Sequence, residues 1–267
     1  MKIPMIIAAD THVHLYPYYD LVQAFKSGFN HLNSLMKNPS AVGPFTKLLF
    51  LTEGQPYHFF HQFKEGVLRI EGDEFTIQSV EERILEVTDS VKDKLYLIAG
   101  RQIVSKDRIE ILGLMQDEDI QNGLASEEII EQILSSEGIP VLSWAPGKWF
   151  FKRGKIIQSL LKRYSNQQIL IGDTTLRPDI FKIPSVMLSA QEKGYQVLAG
   201  TDPLPFQGEE QYIGSYGIIS KDVEEEKDLF STIRSILLSG AFSIAGKRGN
   251  LPSVVRRLGH HFFCRCL

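Results

Sequence analysis

The chain has 267 residues, 43% apolar and 23% charged, which suits a folded protein with a sizeable core and excludes a disordered or low-complexity one. A net charge of −3 gives no footprint for duplex nucleic acid, although a local patch could still hold a phosphate. No run reaches the roughly 18 apolar residues of a membrane span, and both cysteines, Cys264 and Cys266, lie near the end of the chain, so a cytoplasmic, single-domain protein without a disulfide framework is expected.

Residues 5–9 (MIIAA) read as a short buried strand, and 18–37 as a helix with Leu21, Phe25, Phe29, Leu32 and Leu35 on one face. NPSAVGP ends that helix, and 46–53 (TKLLFLTE) is the next strand. The stretch 67–77 suggests a hairpin around Gly72-Asp73, and Ser79 with Glu82 imitates a capping box for a helix over 80–91. Strands follow at 94–105 and 108–115, then a helix at 125–138 and a strand at 139–144. A basic amphipathic helix (151–164), a strand (167–173), a helix near 179–193, a strand (195–202) and a helix over 222–239 complete the order.

Short apolar strands alternating with helices predict a parallel sheet covered by helices. Each apolar run ends in reactive residues: Asp10, His12 and His14, then Glu53, Arg101 and Gln102, Trp144, Asp173, and Asp202. Collected strand ends of this kind favour an α/β fold of the TIM-like β/α barrel type with seven or eight mostly parallel strands, over an open doubly wound sheet.

In an extended segment residues i and i+2 share a face, so Asp10, His12 and His14 are expected to project together. Two imidazoles beside a carboxylate suit Zn, Mn or Fe. Asp202, in VLAGTDPLP at the end of a late strand, is the expected partner because a closed barrel brings late and first strands together.

DTHVHL at 10–15 and AGTD at 199–202 resemble the metal-dependent hydrolases built on β/α barrels, and most closely the polymerase and histidinol phosphatase (PHP) family. The order of LLFLTEG (48–54), IAGRQIVSKDRIEILGL (98–114), VLSWAPG (141–147) and LAGTDPL (198–204) follows the family's motifs. The resemblance implies a distorted barrel and a hydrolase that activates water toward a phosphoester with one or two divalent ions. His12, His14, Glu53 and Asp202 would be the metal ligands, and Asp202 also the proton acceptor. Where the family has further histidines and a bridging glutamate, this chain has Gly54, Gln102, Glu110, Trp144 or Ala145, and Leu204. The implied site is therefore a reduced one, lined by Asp10, Gln102 and Glu110.

Arg101, Lys148 and Arg153 are the candidates for substrate charge, with Arg177 a further one, and the expected partner is a small-molecule phosphoester or similar anionic substrate, with no membrane and no strong nucleic-acid signal. His58 and His61, three apart, are alternative ligands or packing residues. GEEQYIGSYG (208–217) reads as a structured loop or a closing one, and the His/Cys tail GHHFFCRC lacks zinc-finger spacing. The alternatives are an amidohydrolase, against which the absence of histidine between 62 and 259 counts, and a binding or scaffold protein with a vestigial site.

Overall fold

The computed structural model describes residues 4–36, 44–70, 72 and 74–264. β1 (Met5–Val13) leads into α1 (Leu21–Leu35), whose first turn is capped by Asp20 accepting from the Gln23 amide at 3.0 Å. β2 (Phe45–Gly54) and the short α2 (Phe59–Lys64) precede a hairpin of β3 (Phe75–Glu81) and β4 (Ile84–Asp89). Then come β5 (Lys94–Val104), β6 (Glu110–Leu114), α3 (Ser126–Ser135), β7 (Ile139–Ser143), α4 (Phe151–Arg163), β8 (Leu170–Thr174), α5 (Ser185–Gln191) and β9 (Val197–Gly200). A 3₁₀ turn (Glu209–Tyr212), β10 (Tyr216–Val223), α6 (Leu229–Ser239), β11 (Ser243–Gly246) and α7 (Leu251–Cys264) follow.

The sheet runs β11-β10-β1-β2-β5-β6-β7-β8-β9, nine strands curled into a nearly closed, distorted TIM-like barrel. β1-β2, β2-β5, β7-β8 and β8-β9 are parallel, whereas β6 is antiparallel to both β5 and β7. The two-residue link between the predicted strands at 94–105 and 108–115 leaves no room for a crossover, which forces this hairpin. β9 returns to β1 at the seam: Thr11 Oγ1 donates to the Ala199 carbonyl at 2.9 Å, and the Asp202 amide to the His12 carbonyl at 2.8 Å.

Glycine makes the seam. A Cβ on Gly200 would lie 2.4 Å from the His12 backbone nitrogen, and one on Gly217 of β10 would lie 2.0 Å from the Ala9 carbonyl oxygen. Both sides of β1 are thus approached more closely than any side chain permits. The inner face of the ring carries Ile7, Ala9, Leu48, Phe50, Ile98, Leu112, Val141, Leu170 and Leu198, and α6 closes over it with Ile233 and Leu237. α1 and α2 cover one outer face and α3, α4 and α5 another.

The predicted helix over 80–91 is instead the β3/β4 hairpin. The β-branched residues Thr76, Ile77, Val80, Ile84, Val87 and Thr88 and the pairing of β4 with β5 outweigh the Ser79/Glu82 cap signal. Residues 67–70 are not a strand, so the predicted 67–77 hairpin does not form; its turn residue Asp73, like 38–43 of NPSAVGP, lies outside the described residues. The helix predicted over 222–239 begins at Leu229 because 216–223 pairs with β1 as β10. α7 and β11 are additional elements. Among the described residues no helix is long and apolar enough to cross a membrane.

Candidate metal centre

β1 and β2 fall out of step by one residue between Asp10 and Val13: Asp10 pairs with Leu49 and Val13 with Leu51. This β-bulge turns the strand over. Before it Ala8 lies on the outer face; after it Val13 and Leu15 do. His12 and His14 are thereby re-aimed into the barrel mouth, and Asp10 is left on the other face. The expectation that all three project together is corrected by this bulge.

Inside the mouth the two histidine Nε2 atoms are 3.0 Å apart, and each lies 3.5 Å from Asp202 Oδ1. These three residues form a group whose ligand atoms all fall within 4.8 Å of one another, a group that could hold a metal ion. Bonds of about 2.1 Å to a shared ion place neighbouring donor atoms about 3.0–3.4 Å apart, close to the separations here. Gln102 Oε1 lies 3.2 Å from His12 Nε2 and offers a neutral oxygen at the same spot.

Electrostatics agree with ligation. Burial lowers the His12 pKa to about 4, against the pull of Asp202, so the ring is neutral at pH 7. Burial alone would raise Asp202, but His12 and His14 beside it, with Arg257 beyond, hold its carboxyl well below the usual range. Asp202 also sits at φ 50°, a left-handed conformation that Asp tolerates better than most residues and that fixes the carboxylate's direction.

Because the folded value for His12 is below the free value of 6.5, the unfolded chain binds the extra proton between those limits. The contribution to stability is complete above pH 6.5 and is lost as pH falls toward 4. Urea titrations without metal should lose about 3 kcal/mol over that window through this residue. His12→Gln should flatten the slope; an equally steep acid limb in the variant would contradict the assignment.

Asp10 is fully buried and clamps the loop that carries Asp202. It accepts from the amides of His12 (3.2 Å), Thr201 (2.9 Å) and Gly214 (2.9 Å), and from Thr201 Oγ1 (2.5 Å). Burial lifts its pKa to about 7 against these donors. Behind the same loop Arg257 of α7 grips Glu209 through Nε (2.9 Å) and Nη2 (2.6 Å), and bonds Thr175 Oγ1 at 2.9 Å. Thr175 in turn donates to the Thr201 carbonyl at 2.5 Å, and Glu209 accepts from the Leu204 amide. The 208–217 loop is therefore a pinned structural loop. Sequence reasoning missed this network: Arg257 and Glu209 are 48 positions apart, and nothing local to GEEQYIGSYG, where Glu209 lies, points to Arg257.

Several expected site residues are placed elsewhere. Glu53, expected as a ligand, caps α2 by accepting from the Phe59 (2.6 Å) and Phe60 (3.2 Å) amides, and lies 3.6 Å from Arg101 Nη1. Burial raises it to about 8, with Arg101 opposing. Glu53→Ala should cost about 2 kcal/mol in thermal or urea unfolding by leaving the buried Phe59 and Phe60 amides at the start of α2 without their acceptor, while metal affinity stays at the wild-type value; a lost metal site would restore Glu53 as a ligand. Arg101, expected to meet substrate, is buried and spent on the Tyr57 carbonyl and Asp119. Arg177 is likewise held by Asp173, with Tyr216 Oη on the same carboxylate.

Lys148 pairs with Glu110, and its charge is felt at His12, so both belong to the neighbourhood of the centre. Arg153 donates to the Gly147 carbonyl at the start of α4. His58 lies 4.0 Å from Asp119, and His61 bonds the Asp117 carbonyl, so neither joins the metal group. In the tail, His260 packs edge-on against Phe206, whereas Cys266 and the Cys264 side chain lie outside what is described.

No family model matches the sequence, and no curated protein resembles it in sequence. Solved structures do resemble it. PsfC from Pseudomonas syringae PB-5123 matches with TM-score 0.54 at 14% identity, over 99% of this chain and 98% of that one. The lesion-specific endonuclease PfuEndoQ from Pyrococcus furiosus matches with TM-score 0.48 at 14% identity, over 90% of this chain and 58% of its own. An Endonuclease Q complex with a 27-mer duplex bearing an abasic lesion matches with TM-score 0.47 at 12% identity and the same coverage. Against the expectation of a small-molecule substrate and no strong nucleic-acid signal, two of these neighbours are endonucleases, one of them holding a 27-mer duplex. At these identities the likeness concerns the fold: the chain shares the architecture of PsfC along essentially its whole length.

Proposed function

We propose that this chain is a metal-dependent phosphoester hydrolase of PHP type with a reduced metal site. The observation that carries the reading is the convergence of His12 Nε2, His14 Nε2 and Asp202 Oδ1 at 3.0–3.5 Å separations in the barrel mouth. A divalent ion, Zn, Mn or Fe by the chemistry of these donors, would supply Lewis-acid charge to a phosphoryl oxygen and lower the pKa of water.

The chain's own residues do the rest. His12 offers a neutral nitrogen and Asp202 an ionised oxygen, so the centre needs little deprotonation before loading. We assign Asp202 to ligation, its Oδ1 standing 3.5 Å from the Nε2 of each histidine. Gln102 contributes an oxygen without charge. Lys148, paired with Glu110 and felt electrostatically at His12, would bring a cation toward an anionic substrate there.

The test is hydrolysis of bis(4-nitrophenyl) phosphate and of DNA strands by purified protein. Cleavage should vanish on chelation, return with Mn²⁺ or Zn²⁺, and be absent in His14→Ala. Equal rates for the variant and the wild type would sink the reading.

A further inference from the structure

We propose that the rim formed by the β7–α4 and β8–α5 loops binds a single nucleic-acid strand, with one unpaired base seated in a cavity walled by Trp144, Trp149 and Phe181. This deepens the proposed function by naming its substrate class, and it rests on that reading only for what happens to the strand afterwards.

The cavity measures about 380 Å³ and is lined by Trp144, Trp149, Phe150, Ile180, Phe181 and Lys182, among others. Its inner walls are fixed: both tryptophans are buried, and Trp149 Nε1 donates to the Ser143 carbonyl at 2.9 Å. Its lips are apolar side chains left in solvent, with Phe150 57%, Ile180 66% and Phe181 50% exposed. Burying these groups contributes nothing to this fold, and their concentration around one hollow marks a binding surface.

Charge selects the ligand. Lys182 borders the cavity; Lys152, Arg153 and Lys155 lie in the first two turns of α4, which begins next to Phe150 of its lip, Lys152 being 3.4 Å from Asp107 and Arg153 donating to the Gly147 carbonyl. Aromatic faces that stack bases, with cations spaced to meet phosphates, are the usual means of holding single strands. An uncharged lipid or an apolar peptide would use the hollow but not the cations; an anionic lipid would use both, and anionic vesicles that quench as a nucleic-acid strand does would overturn the choice of ligand.

Position connects the cavity to the metal group. Trp144 follows β7 and Ile180 follows β8, so the hollow opens at the carboxyl ends of the strands, as do His12, His14 and Asp202. β8 neighbours β9, after which Asp202 comes, and the loop carrying Trp149 and Phe150 also carries Lys148, whose charge reaches His12.

Trp144 and Trp149 are the only tryptophans in the chain, so emission excited beyond the tyrosine band reports on this cavity. A short unlabelled DNA strand should quench it saturably, and the same strand made abasic throughout should quench little. Phe181→Ala, at an exposed position that leaves the fold intact, should weaken the strand's Kd about tenfold. Lys182→Ala should weaken it and reduce its salt dependence. Quenching should persist when EDTA is present, because the base is held by the cavity and not by a metal ion. No quenching by the strand, or equal quenching by the abasic strand, would overturn the proposal while leaving the hydrolase reading to its own test.

Discussion

Asp10→Ala is expected to destabilise the protein by about 4 kcal/mol, and to loosen the metal site although Asp10 touches no metal ligand's side chain. The carboxylate is fully buried and serves four donors, three of them backbone amides of His12, Thr201 and Gly214. Alanine strands all of them at the seam where β9 returns to β1, and each orphaned buried donor costs roughly 1–3 kcal/mol before relaxation. The loop bearing Asp202 then loses its anchor, so metal affinity should fall with stability. Asp10→Asn should destabilise by roughly half as much, since one acceptor oxygen is replaced by an NH2 donor facing donors. Urea unfolding checks the first claim and metal titration the second. Unfolding within about 1 kcal/mol of wild type would show that the clamp is dispensable.

The second large effect belongs to Asp202 itself. Asp202→Asn removes the one anionic donor of the group while keeping its shape. The two histidines and Gln102 would then present only neutral atoms. Affinity for Zn²⁺ or Mn²⁺ should drop at least a hundredfold, about 3 kcal/mol, in isothermal titration. The reciprocal variant Gln102→Glu adds a carboxylate at 3.2 Å from His12 Nε2 and should tighten binding. A Asp202→Asn protein that binds metal as the wild type does would move the site away from the barrel mouth.

The residues that were legible in the sequence are those whose meaning is local. His12 and His14 follow a buried run, and Asp202 follows another, so strand-end logic brought them together across 188 positions. The alternation of β/α segments likewise announced the barrel. What escaped depended on register or on distant pairing. The i, i+2 rule put Asp10 beside the histidines, and only the bulge, invisible in composition, separates them. Glu53 ends its strand as a ligand would, yet α2 begins six residues later and takes its carboxylate. Ser79 and Glu82 imitated a helix start where β5 supplies a partner strand. Arg257 carried no local signal because its role comes from Glu209, Thr175 and the loop they hold.

The central claim is that His12, His14 and Asp202 form one metal centre. Elemental analysis after equilibrium dialysis against Mn²⁺ or Zn²⁺ tests it most directly. The account predicts about one equivalent, at most two, in the wild type, a matching rise in melting temperature, and almost none in Asp202→Asn or His12→Ala. A wild-type protein that retains no metal, or variants that retain as much as the wild type, would contradict it.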